Sequence, residues 1–179
     1  MSHPDLERLR ELLPVPPSGG DAVGWEEIER TTHLVLPADY RAFVEEYGGG
    51  VINEYLSVNT PPVLDSPYGD LLDKLDITLS DREQQELRTF LSVSDLPPLL
   101  PFADTASGDV AFWLREGSPD DWRVVVFRRQ SSYGAARWTA FHGGMVPFCI
   151  AVLADELDPF SERLSTGERH EFESWHKEY

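Results

Sequence analysis

The chain reads as a single α+β domain, a central and mostly antiparallel sheet with N-terminal and C-terminal helices packed around it. Three observations predict this. Leu36, Tyr40, Phe43, Val44 and Tyr47 fall at helical spacing, and Gly48-Gly49-Gly50 and a β-leaning run follow at once. Two stretches rich in β-branched and aromatic residues, 110–114 and 122–127, flank turn residues 115–121, as an antiparallel hairpin would. The stretch 145–157 is apolar on nearly every side, as a buried helix is. At 179 residues and 41% hydrophobic, with five Trp, six Tyr and nine Phe, the chain can bury one sizeable core.

From the N-terminus, Leu6, Leu9, Leu12 and Leu13 predict a short amphipathic helix, and the Pro/Gly-rich run 14–20 breaks it into a linker loop. Residues 25–30 form a short helix with Trp25 and Ile28 inward and Glu26, Glu27 and Glu29 mostly on the wet side. In the helix after Leu36, Pro37 fits the first turn, where its missing N–H has no partner to lose. Asp39, largely outside the apolar stripe, sits where a negative charge meets the positive end of the dipole. Gly48 can take the left-handed conformation that ends a helix. Residues 51–59 are expected as one strand, with Ile52, Tyr55 and Leu56 as candidate buried positions, ended by Thr60-Pro61-Pro62.

The stretch 64–79 has no clear period. It carries Asp65, Asp70, Asp73 and Asp76 against Lys74 alone. Ser80 and Glu83 form a capping box, each serving a free backbone N–H, and open a helix to about Leu91 with Leu87 and either Phe90 or Leu91 inward. After the 110–127 hairpin, residues 137–141 either add a short strand or lead into the next helix. Pro147 is tolerable near the start of that helix, and Asp158-Pro159 ends it. In the tail, Ser165 to Glu168 is a second possible capping box, opening a terminal helix that would pack Phe172, Trp175 and Tyr179.

Charge narrows the function. Fifteen Lys plus Arg against 32 Asp plus Glu give a formal −17. Such a surface repels phosphates, so no nucleic-acid partner is expected, and it attracts a basic protein face. A proteome that favours acidic, soluble proteins is the competing source of the charge. No apolar run of about 18 residues predicts a membrane span. The N-terminus lacks the basic-then-apolar layout of a secretory signal. The single cysteine, Cys149, excludes an internal disulfide and fits a cytoplasmic location.

No catalytic or cofactor constellation emerges. His170 and His176 are six residues apart, which in a helix leaves them on different faces, whereas a zinc-binding pair sits at i and i+4. Cys149 reads as core filler. Gly48-Gly49-Gly50 ends a helix where a phosphate cradle opens one, and Gly143-Gly144 lacks the dinucleotide spacing. Ser107 lacks the glycines that flank a nucleophilic serine. Glu45-Glu46 and Asp120-Asp121 read as solvated neighbours. Arg123, Arg128, Arg129 and Arg137 form an acid-free stretch that either supplies internal ion-pair partners or, less favoured, binds phosphate. No enzyme, cofactor or metal is expected.

The motif residues carry a resemblance. Trp25, Ile28 and Glu29, then Leu36, Pro37, Asp39 and Tyr40, then Phe43, Tyr47, Gly48, Gly49 and Gly50 resemble the signature of the SUKH superfamily. Leu100-Pro101-Phe102-Ala103, Gly108, Asp109 and Trp113 resemble its second block, and the matching blocks span about 25–157. The resemblance implies structural roles for these residues. It also implies a protein-binding function: in bacteria, neutralising a toxin domain, often a nuclease, of a polymorphic toxin system; in the fungal relatives, docking regulatory partners of cell-wall synthesis. The expected organisation is an N-terminal helix and linker over 1–24, the family domain over 25–157, and an acidic, helical extension over 158–179. An immunity protein would present carboxylates to a basic toxin face, for which Glu54, Asp65, Asp70, Asp73, Asp76, Asp120 and Asp121 are the candidates, on loops or strand ends with few compensating cations.

Overall fold

The computed structural model describes residues 3–130, 136–164 and 169–176. Helix α1 (Pro4–Leu12) opens with Pro4 at its first position and the His3 ring accepting the Asp5 N–H. Its Leu6 and Leu9, with Leu13 just beyond, are buried. Helices α2 (Trp25–Thr32) and α3 (Ala38–Glu46) follow. Arg10 of α1 grips Glu46 of α3 through two nitrogens, at 2.6 and 3.0 Å. The Tyr47 hydroxyl donates to the Leu13 carbonyl at 2.6 Å. These two ties fix the first helix to the motif helix.

Strands β1 (Gly50–Ile52), β2 (Leu56–Val58), β3 (Leu99–Thr105), β4 (Val110–Leu114), β5 (Arg123–Phe127), β6 (Trp138–Phe141) and β7 (Phe172–Ser174) form one sheet in the order β6-β5-β4-β3-β2-β1-β7. Every neighbouring pair is antiparallel. Pro101 sits in a central strand, where its missing N–H is absorbed at a register shift between Pro101 and Ala103. The 110–127 hairpin forms as expected, and residues 138–141 take the strand alternative.

Two apolar layers follow from the alternation of side chains along the strands. On one face Ile52, Val58, Ala103, Ala111, Trp113, Val124 and Val126 join the core residues of α1, α3 and helix α5 (Met145–Leu153). On the other face Phe112, Leu114, Val125 and Trp138 pack with Leu87 of helix α4 (Asp81–Leu91). The capping box of α4 is present in both directions. Leu91 is the inward residue of the expected pair, and Phe90 is 41% exposed. The stretch before α4 holds only a 3₁₀ turn, Leu71–Lys74, pinned by fully buried Leu71.

The structure corrects three expectations. The single strand over 51–59 is a tight hairpin: Asn53 and Glu54 both take positive φ, 51° and 56°, the backbone of a two-residue turn whose twist suits a hairpin. The amide of Asn53 is held by the tail, its oxygen accepting from the Glu171 N–H and its nitrogen donating to the Leu164 carbonyl and the His170 ring. The apolar helix ends at Leu153, short of 157, with Asp155 at φ 61°. The expected terminal helix is strand β7 over Phe172–Ser174, because Phe172 alternates inward against Phe43 and Tyr47. Trp175 turns to another partner, described below. The Ser165–Glu168 capping box and Tyr179 lie outside the described residues.

Candidate partner-binding surface

Three carboxylates are buried among the described residues, Asp39 and Asp109 of the motif and Asp21 outside it. Asp39 accepts the Val146 N–H at 3.0 Å and its own neighbour Tyr40 N–H at 2.8 Å, so it caps α5 across the core. Although outside the apolar stripe by spacing, it is buried; burial pushes its carboxyl above the usual range, and these two N–H groups pull partly back. Asp109, fully buried, collects the Ser161 hydroxyl (2.5 Å) and N–H (2.8 Å), the Arg129 N–H (2.8 Å) and the Thr105 hydroxyl (2.9 Å). Burial alone would raise its pKa, but this set of donors, led by Ser161, holds the carboxyl below the usual range. Asp21 receives the Gly49 N–H, the Trp175 indole and, at 2.6 Å, His176. Asp109 and Asp21 therefore hold the tail at two points.

Other motif residues pack in the core or shape the backbone. Tyr40 is enclosed by Trp25 and Trp113 and donates its hydroxyl to the Asn59 carbonyl at 2.5 Å. Ile28 and Leu36 are buried, Pro37 precedes α3, and Phe43 stacks on Tyr47. Gly48 and Gly108 have positive φ, 75° and 89°. A side chain on Gly49 would strike Tyr68, and one on Gly50 would strike the Phe172 ring and the Glu173 carbonyl.

The seven carboxylates proposed for a partner occupy three connections. Glu54 lies in the β1–β2 turn, exposed, in a cleft with Tyr55, Glu162 and Arg163. Asp120 and Asp121 lie in the β4–β5 connection, at the opposite end of the sheet. Asp120 accepts the Ala38 N–H at 2.8 Å, serving the free start of α3, and Asp121 accepts the Ser118 hydroxyl at 2.9 Å. Asp65, Asp70, Asp73 and Asp76 line the β2–α4 connection. Asp65, Asp73 and Asp76 are exposed, and Leu64 beside Asp65 is 87% exposed.

The structure adds Asp104 to that connection. Lys74 lies 3.6 Å from Asp70 and 3.9 Å from Asp104, so one ammonium serves two carboxylates, each about half exposed. Asp104 is raised above the usual range by burial, partly offset by Lys74. The signal was available in principle: strand alternation in β3 puts Asp104 on the face opposite Ala103, with Ser57 of β2 beside it. That half of the face lies outside the layer that α4 covers.

Three arginines of the acid-free stretch are engaged. Arg123 meets Glu116 at 3.8 Å, Arg137 chelates Glu86 and holds its carboxyl low, and Arg128 donates to the Asp158 and Pro159 carbonyls. His170 sits between Asn53 and the Leu153 carbonyl, far from the role of a metal-binding helix residue. Burial pushes the Cys149 thiol up to about 12, too high for a thiolate nucleophile at neutral pH. Among the described residues no group of three or more His, Cys, Asp or Glu side chains could hold a metal ion. No helix of the described residues is long and apolar enough to cross a membrane.

Comparison with known proteins identifies a family. The family model SUKH_6, described as SMI1-KNR4 cell-wall, matches residues 24–140, about two-thirds of the chain. No curated protein and no solved structure matches it.

Proposed function

The chain belongs to the SUKH (SMI1-KNR4) family, and from that premise we propose that it is a non-catalytic binding protein that neutralises a basic toxin domain, of nuclease type, in the cytoplasm. The observation that carries this reading is the β2–α4 connection. It presents Asp65, Asp70, Asp73 and Asp76 and recruits Asp104, with Lys74 as the cation within reach of two of them, in a chain of formal charge −17. Carboxylates so placed stand in for phosphates before a basic catalytic face and speed its capture. In this reading residues 25–157 form the binding domain, and 1–24 and 158–179 brace it. Glu54, Asp120 and Asp121 contribute long-range attraction, with Asp120 and Asp121 also tied to local structure.

The test is the double variant D70K/D73K assayed against the toxin-domain partner. At low salt it should bind at least about tenfold more weakly than wild type, and the difference should shrink as salt screens exposed charge. Equal affinity at low salt would remove this surface from the interface. A second reading, a regulatory scaffold that docks a peptide segment, is favoured by the groove that Pro14, Val15, Pro16 and Pro17 line beside Phe172 and would show weak salt dependence.

A further inference from the structure

The sheet has two edges, and they are treated differently. Strand β7 is three residues long, carries Glu173 at its centre, and has Pro14, Val15, Pro16 and Pro17 lining a groove beside Phe172. Short length, charge and a covering loop are the usual protections of an edge. Strand β6, Trp138-Thr139-Ala140-Phe141, contains no charge, proline or glycine.

The ladder fixes which groups β6 leaves open. Arg128 donates its N–H to the Arg137 carbonyl at 2.7 Å, so that pair is a hydrogen-bonded one. In an antiparallel ladder such pairs alternate. With Val126 opposite Thr139 and Val124 opposite Phe141, Thr139 and Phe141 turn their N–H and C=O toward β5. Trp138 and Ala140 turn theirs outward, and among the described residues no hydrogen bond reaches them. A second feature is the α4 stripe that reaches Arg137. Glu86 of α4 reaches Arg137 beside β6, and Phe90, four residues on, continues that stripe with an exposed ring. Val93, just past the helix, is exposed too.

We infer that the edge of β6 left open among the described residues takes up an extended segment of the protein partner as an added strand, bonded to the backbone of Trp138 and Ala140 with the Glu86–Phe90 stripe of α4 alongside. The inference rests on the reading of the chain as a protein-binding domain. The occupant is a partner and not a second copy, because two chains of formal charge −17 repel while a basic protein is attracted. Its paired stretch is β-prone and uncharged, since it must lie along a strand without charge.

Amide hydrogen exchange of the whole chain tests this, with a short capped peptide of alternating valine and threonine, lysine at each end, as the probe. In the free protein Thr139 and Phe141 should be protected while Trp138 and Ala140 exchange fast. Saturating peptide should slow Trp138 and Ala140 by at least about tenfold. Ala140→Pro removes an outward N–H and no bond within the sheet, so it should weaken the peptide by about tenfold and leave Thr139 and Phe141 protected. Should that variant fold poorly, Phe90→Asp, at an exposed position, should weaken the peptide similarly. Peptide binding that leaves Trp138 and Ala140 unprotected, or that both variants retain, overturns the inference. Concentration-dependent protection of Trp138 and Ala140 without peptide also overturns it, in favour of self-pairing. Failure of the proposed function is read separately, from the salt dependence of the D70K/D73K comparison, which uses no peptide.

Discussion

The carboxylate of Asp39, in the first turn of α3, receives the N–H of Val146, in the first turn of α5, at 3.0 Å and 107 residues away in sequence. One side chain thus completes the start of a helix that carries no side-chain cap of its own. Asp39→Ala should leave that buried N–H unsatisfied and cost about 1–3 kcal/mol, read from urea denaturation at neutral pH. A cost within error would mean that another acceptor serves α5.

Asp39 and Asp109 should respond to pH with opposite sign. Burial raises the folded-state pKa of Asp39, so its contribution is fully present below the ordinary aspartate value and is lost as pH rises through the raised one. The donors around Asp109 lower its folded-state pKa. Its contribution is present above the ordinary value and is lost as pH falls through the lowered one. Asp109→Asn should therefore trail wild type most at neutral pH, with the gap closing in acid, while Asp39→Asn should gain on wild type as pH rises. Denaturation curves from about pH 2 to 7 separate the two.

Gly50→Ala should unseat the tail strand. Its new methyl would meet the Phe172 ring at 2.8 Å and crowd the Glu173 carbonyl, both in β7. The expected loss is about 1–3 kcal/mol. The Val51 amide, paired with Glu173, should lose its exchange protection while the β4–β5 ladder keeps its own.

Lys74→Met should leave Asp70 and Asp104 without their shared cation. Association with a basic partner should speed up at low salt, by a factor that disappears as ionic strength rises. Stopped-flow association rates measure it, and a slower rate would mean that Lys74 itself contacts the partner.

Local signals made much of this fold readable. The Ser80–Glu83 box, the apolar stripe of Tyr40, Phe43, Val44 and Tyr47, and the paired β-rich runs each state their structure within a dozen residues. The misread elements depend on distant partners. The turn at Asn53-Glu54 lacks the glycine that usually marks such a hairpin and is held by Leu164, His170 and Glu171. Strand β7 exists because Phe172 finds Phe43 and Tyr47. Periodicity alone set Asp39 outside the apolar stripe, whereas its burial requires α5 in place. The acidic connection was visible as composition. Asp104 joined it only once the sheet showed which half of its face α4 covers.

The most direct measurement is capture from native cytosol and secreted fractions at low and high salt, run in parallel with wild type and D70K/D73K and read by mass spectrometry and by activity of the captured protein. The expected result is one basic enzyme domain, retained stoichiometrically by wild type at low salt, released by high salt, inhibited while bound, and largely lost from the double variant. A partner held equally by both proteins and indifferent to salt would contradict the central claim, and would move the function from an acidic toxin antagonist to a scaffold that binds through apolar contacts.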